Sequence, residues 1–93
     1  MPDRFLLIKK HAAERMLERR IALAAVLFTL DAGVTIERYP DDTPLPSRLM
    51  LGWTEGRPIH VVVAEEPETF HIVTVYEPDP DEWSADFTTR RRI

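Results

Sequence analysis

Residues 47–76 read SRLMLGWTEGRPIHVVVAEEPETFHIVTVY, and the strands within this stretch decide the fold. Val61, Val62, Val63, Ile72, Val73, Thr74, Val75 and Tyr76 are β-branched or aromatic, the types that fit a pleated, half-buried surface. Glu55-Gly56 separates two apolar runs and supplies a residue able to take positive φ, a hairpin signal. Glu65-Glu66-Pro67-Glu68 marks a second turn, with proline where no ladder donor is needed. The stretch therefore predicts three successive antiparallel strands. A two-residue first loop would set Thr54 opposite Arg57 and Leu51 opposite His60. Leu49, Leu51, Trp53, Pro58, His60 and Val62 would then share one face. Arg48, Met50, Gly52, Ile59, Val61 and Val63 would share the other. Both faces are apolar, so periodicity does not decide which one the rest of the chain covers.

Working outward toward the N-terminus, Val34 to Tyr39 alternates and predicts one more strand, joined to the meander by the rigid, acidic connection Pro40–Pro46. Ile21 to Leu30 is apolar almost throughout and predicts a largely buried helix, with Gly33 as its stop. Lys10 to Arg20 predicts a surface helix: Ala12, Ala13, Met16 and Leu17 form its apolar stripe, and His11, Glu14, Arg15, Glu18 and Arg19 its polar side. Phe5-Leu6-Leu7-Ile8 is too short to classify and reads as a lead-in under the sheet. Toward the C-terminus, Pro78 and Pro80 end the last strand, Trp83 reads as an anchor folded back onto the body, and Arg90-Arg91-Arg92 reads as a solvated tail. The expected architecture is an α+β single domain over residues 1–93. Two N-terminal helices, about 10–31, pack on a four-stranded antiparallel sheet, about 34–77, followed by a tail at 78–93.

A chain of 93 residues with 44% hydrophobic and 30% charged content is an ordinary small globular domain. It has no cysteine, which excludes disulfides and thiolate metal sites and suits a reducing cytoplasm. No apolar run approaches the roughly 20 residues that cross a bilayer, so no membrane partner is expected. The net charge of −4 is segregated: +3 over residues 1–20, −10 over 21–86 and +3 over 87–93. Basic ends meeting on one face would form an anion-attracting patch despite the global sign.

Several residues are candidates for chemistry. His11 opens the first helix, where added positive charge is disfavoured, and a neutral imidazole is a competent general base. Arg15 stands one turn further on and could hold a phosphate or a developing negative charge. His60 lies mid-strand, a position that suits a hydrogen-bonded packing residue as well as a catalyst. His71 reads as a surface residue. Arg48 and Arg57 flank the first hairpin, Tyr76 ends the last strand and Arg90 lies in the tail; together these would make a phosphate-binding surface, and each arginine also fits an edge charge that discourages aggregation. The histidines have no metal-ligand spacing, and no metal or cofactor is expected. There is no glycine-rich phosphate loop, no G-x-S-x-G and no nucleophilic cysteine.

His11-Ala12 with Arg15-Met16 and Glu18-Arg19, Ile21, the Gly33 turn, Ile36-Glu37-Arg38-Tyr39-Pro40-Asp41-Asp42, Pro46-Ser47-Arg48, Gly52-Trp53, Arg57 to Ala64 and Ile72 to Pro78 resemble the bacterial domain-of-unknown-function 4258 family, over about residues 9 to 90. That family looks like a distant relative of small RelE- and BrnT-type toxins with a barnase-like ribonuclease architecture. The resemblance implies metal-independent RNA cleavage in the cytoplasm, or a relative that keeps the fold without the chemistry. His11 or His60 would act as base or acid, Arg15, Arg48 and Arg57 would hold phosphate, and Tyr76 would assist. The implied partners are RNA, an antitoxin protein and a second copy of the chain joined through an exposed strand edge. The rival expectation is a non-enzymatic binding or regulatory module that uses the sheet face, Trp53 and Trp83.

Overall fold

A computed structural model describes residues 5–91. Glu55 and Gly56 both take positive φ, 51° and 77°, as a tight primed hairpin turn requires. The strands they join, β3 (Ser47–Thr54) and β4 (Arg57–Glu66), pair with Leu51 opposite His60 and Thr54 opposite Arg57. A second two-residue turn, Pro67-Glu68, leads into β5 (Thr69–Tyr76), with Glu66 opposite Thr69. Upstream, β2 (Val34–Tyr39) pairs antiparallel with β3.

Among the described residues the sheet has five strands, not four, and it is mixed. Residues Phe5–Ile8 form β1, which runs parallel to β5 with Phe5 opposite Thr69 and Ile8 opposite Ile72, giving the order β1-β5-β4-β3-β2. A four-residue apolar run carries no period of its own. Its pairing depends on an edge created at the far end of the chain.

Between β1 and β2 lie α1 (Lys10–Arg19) and α2 (Leu23–Ala32), both on one face of the sheet. Met50, Ile59, Val61, Val63, Ile72 and Val75 form that face and pack with Ala12, Met16, Ile21 and Val26. At about 1.5–3 kcal/mol for each fully buried aliphatic side chain, this layer is the main source of stability. The opposite face is buried as well: Leu49, Leu51 and His60 are almost inaccessible. Its cover is the C-terminal segment, whose Trp83 meets the His60 ring edge-on at 4.5 Å and whose Phe87 meets Trp53 at 5.8 Å. This explains why both faces of the meander are apolar.

Two β-bulges decide which side chains face that segment. The register of β2 shifts at Ile36, so Thr35 opposes Met50 on the helix side while Glu37 opposes Leu49 on the other. The register of β5 shifts at Val73, so Ile72 opposes Val63 in the core while Thr74 and Tyr76 oppose Val62 and His60 on the far side. Without the shifts, strict alternation would put Glu37 with Thr35, and Tyr76 with Ile72.

The helices are held by close backbone approaches. Arg20 takes a left-handed conformation (φ 54°) and donates to the carbonyls of Leu17 and Met16, closing α1. Gly33 ends α2 with an ordinary extended φ; it is required because a Cβ there would lie 2.5 Å from the Thr29 carbonyl oxygen and 2.7 Å from that of Leu51. Beyond β5, Trp83 is buried, as an anchor should be. Arg90 and Arg91 are not a solvated tail: Arg90 pairs with Glu37, and Arg91 donates from Nε to the carbonyls of Pro80 and Trp83. Arg92 lies outside the described residues.

Candidate active site

Placed mid-strand on β4, His60 is fully buried beneath the C-terminal segment. Its Nε2 lies 2.9 Å from the Phe87 carbonyl oxygen and its Nδ1 lies 3.1 Å from the Tyr76 hydroxyl. A carbonyl oxygen only accepts, so Nε2 carries the proton. Nδ1 is then the acceptor, and Tyr76 donates its hydroxyl hydrogen to it. The ring is wedged between Trp83 and Tyr76, both edge-on. Burial pushes the imidazole below its ordinary pKa, against the hydrogen bond to Phe87 and the field of Glu37. It is a neutral acceptor at physiological pH.

Tyr76 reaches this position because it ends β5 on the far side of the Val73 bulge. Burial raises its phenol to about 12. Its neighbours form a polar network: Tyr39 donates to Glu37, and Arg90 donates from Nε to the same carboxylate at 3.1 Å while stacking 4.7 Å over the Trp83 ring. Burial raises the Glu37 carboxyl, but the bonds from Tyr39 and Arg90 outweigh it and leave the group below its usual range. Burial and the bond to Glu37 raise the Tyr39 phenol. Glu37 holds the Arg90 guanidinium above its ordinary value.

A polar cleft of about 540 Å³ opens beside this network, between α1 and the C-terminal segment. Arg15 and Arg19, one turn apart on α1, line one wall; Tyr76, Trp83 and Arg90 line the other. Glu77, Asp79 and Glu82 also border it, and Glu77 is engaged by Arg57 at 2.8 Å.

Three of the seven expected site residues thus meet in one cleft, Arg15, Tyr76 and Arg90, with His60 directly behind Tyr76. The other three are elsewhere. His11 is exposed in the first turn of α1 and does not line the cleft. Arg48 lies opposite Val63 on the helix-side face, bonded to Glu65 and Thr35. Arg57 is an α1 clasp: its guanidinium donates to the carbonyls of Arg19 and Arg20 as well as to Glu77. Arg19, Glu37 and Tyr39 are not among the residues expected at the site from the sequence. Arg19 was reachable from its spacing to Arg15, whereas Glu37 and Tyr39 depend on the Ile36 bulge. His71 is paired with Glu66 beside a separate pocket at the other end of the sheet. Among the described residues, no three His, Asp or Glu side chains are grouped to hold a metal. None of the described helices is long and apolar enough to cross a membrane.

No curated protein and no solved structure matches this chain. A family model does match, over residues 8–77, from the end of β1 through β5 and one residue past Tyr76. The match includes Arg15, Glu37, Tyr39, His60 and Tyr76 and stops short of Trp83, Phe87 and Arg90. The chain therefore belongs to the family described as a domain of unknown function, DUF4258.

Proposed function

We propose that the cleft binds the phosphodiester backbone of RNA and cleaves it by metal-independent transesterification, in the manner of the RelE- and BrnT-type toxins that the family resembles. The observation that carries this reading is Tyr76, which lines the cleft with Arg15, Arg19 and Arg90 and whose hydroxyl bonds a buried neutral imidazole. Arg15, Arg19 and Arg90 hold the phosphate and offset the charge that builds on the phosphorane. The Tyr76 oxygen takes the proton of the ribose 2′-hydroxyl as its own hydrogen passes to His60 Nδ1. The 2′-oxygen–phosphorus bond forms, the bond to the 5′-oxygen breaks, and water protonates the leaving oxygen. The hydroxide left behind recovers the proton from His60. The imidazolium formed in between still donates through Nε2 to Phe87 and lies in the field of Glu37.

The test is cleavage of end-labelled single-stranded RNA in the presence of a chelator, with the 2′,3′-cyclic phosphate identified as product. Tyr76→Phe and Arg15→Ala should each lower the rate by at least about a hundredfold, the scale of a lost acid–base or charge-stabilising group. Wild-type protein no faster than Tyr76→Phe would refute the reading. A second reading, a non-enzymatic protein-binding module, is favoured by Trp53, which is 48% exposed beside a groove shared with Phe28. Trp83 cannot serve it, being only 3% exposed.

A further inference from the structure

α2, LAAVLFTLDA, carries apolar residues on every side, yet only one of its faces is covered. Val26 and Thr29 are buried against the sheet, while Leu23 and Leu27 are 47% exposed and Phe28 is 48% exposed. A helix with apolar residues on every side is normally a buried one. Taking about 100° per residue, Ala24, Leu27 and Asp31 form the centre of the exposed side, with Leu23 and Phe28 on its two flanks. At the N-terminal end of the same side stands Arg20, which lines a groove with Ala24 and Phe28. Arg20 and Asp31 are exposed, and neither forms an ion pair among the described residues. Asp31 sits in the last turn of α2, where no basic side chain offsets the negative end of the helix dipole.

We infer that this face is a homodimer interface in which α2 packs antiparallel against α2 of a second copy. The sequence is self-complementary in that orientation. A two-fold axis midway between Ala25 and Val26 brings the N-terminal end of each α2, where Arg20 stands just before the helix, beside the C-terminal end of the other, which carries Asp31. The same axis sets Ala24 against Leu27, small against large, and brings Leu23 and Phe28 near their own symmetry mates along the flanks. Within α2, residues 24, 27 and 31 have the three-four spacing of a packed helix seam. Opposite charges at the two ends meet only when the helices run antiparallel, so the electrostatics select the isologous arrangement. Each Arg20 also supplies the cation that the C-terminal end of the other α2 lacks. Arg20, Leu23, Ala24, Leu27, Phe28 and Asp31 do not line the Arg15–Tyr76–Arg90 cleft, and the interface does not depend on its chemistry.

The oligomeric state of the full chain, measured by sedimentation or light scattering over about 1–200 μM, tests this. Wild type should dimerise reversibly. Leu27→Glu is exposed and should fold, with unchanged circular dichroism, but should weaken the dimer by at least about a hundredfold, since each copy contributes the substituted residue. Arg20→Asp and Asp31→Arg, each placing like charges opposite one another, should weaken it about tenfold or more, and the double swap Arg20→Asp/Asp31→Arg should restore it. A monomeric wild type overturns the inference. So does a dimer indifferent to Leu27→Glu, which would point to pairing at the open β2 edge. So does a double swap that stays as weak as the single variants. Tyr76→Phe should leave the dimer intact, so failure here is distinguishable from failure of the RNA reading.

Discussion

His60→Ala probes the link between the sheet and its C-terminal cover. The substitution removes a ring that fills the space between Tyr76 and Trp83, whose centroids lie 5.2 and 4.5 Å from it. Truncation of a fully buried ring of this size costs about 2–4 kcal/mol in lost contacts and cavity. It also leaves the Phe87 carbonyl without its donor, for about a further 1 kcal/mol. Tyr76 borders the cleft and can find water, so its hydroxyl adds little. The total, about 3–5 kcal/mol, is a large share of the roughly 5–14 kcal/mol available to a chain of 93 residues. Urea denaturation followed by tryptophan fluorescence and circular dichroism measures it. His60→Gln keeps a side-chain donor for Phe87 and should cost about half as much. The pH dependence supplies an independent sign. Because the folded imidazole titrates below its ordinary value, the unfolded chain binds a proton near pH 6.5 that the native protein does not. Stability should be flat above that pH and fall as pH drops below it, by at most about 1.4 kcal/mol per pH unit from this residue. His60→Gln should lose that component. A His60→Ala cost below about 1 kcal/mol, or identical acid limbs in wild type and His60→Gln, would show that the C-terminal segment does not seal this ring.

Gly52→Ala places a Cβ 2.2 Å from Thr29 Oγ1 and should cost about 1–3 kcal/mol in urea denaturation; adding Thr29→Ala should relieve part of it, giving a favourable coupling in the double-mutant cycle. Arg90 is 60% exposed, so Arg90→Ala should lose no more than about 1.5 kcal/mol from its ion pair with Glu37 and its stacking on Trp83, while weakening RNA binding far more than thermal stability. If Arg15, Arg19 and Arg90 are the phosphate contacts, the affinity for single-stranded RNA should fall with salt with a logarithmic slope of about −2, and Arg15→Ala should make it shallower. A slope of zero would remove RNA as the ligand.

The parts legible in the sequence are those settled by neighbouring residues. Glu55-Gly56 dictates a two-residue turn, and the turn dictates the pairing of Leu51 with His60. The stripe through Ala12 and Met16 marks the buried side of α1 without reference to anything else. Trp83 is an anchor because a large apolar ring in an acidic, proline-rich segment has little else to do. The fifth strand was illegible for the opposite reason: β1 is stabilised by the edge of β5, and four apolar residues carry no mark of a parallel partner so far along the chain. The ion pair of Arg90 with Glu37 is likewise a consequence of tertiary folding, so a run of three arginines looked like a free tail.

The candidate site was half legible, and the bulges account for the rest. Arginines and histidines can be picked out by type, but whether they meet depends on which face of the sheet each strand presents. Arg48 and His60 fall on opposite faces by alternation across the first hairpin, which was readable from the pairing alone. Tyr76 shares a face with His60 only because the chain gains one residue at Val73, and Glu37 and Tyr39 join them only because it gains one at Ile36. Nothing in Phe70-His71-Ile72-Val73-Thr74 announces that extra residue, since every member is a good strand former. The bulge is selected by competition between layers: Ile72 and Val75 must both enter the core, although their separation of three residues is incompatible with simple alternation. The irregularity that reconciles two core residues is also the one that turns the Tyr76 hydroxyl toward an imidazole. In β5, core packing and assembly of the site are therefore one structural event.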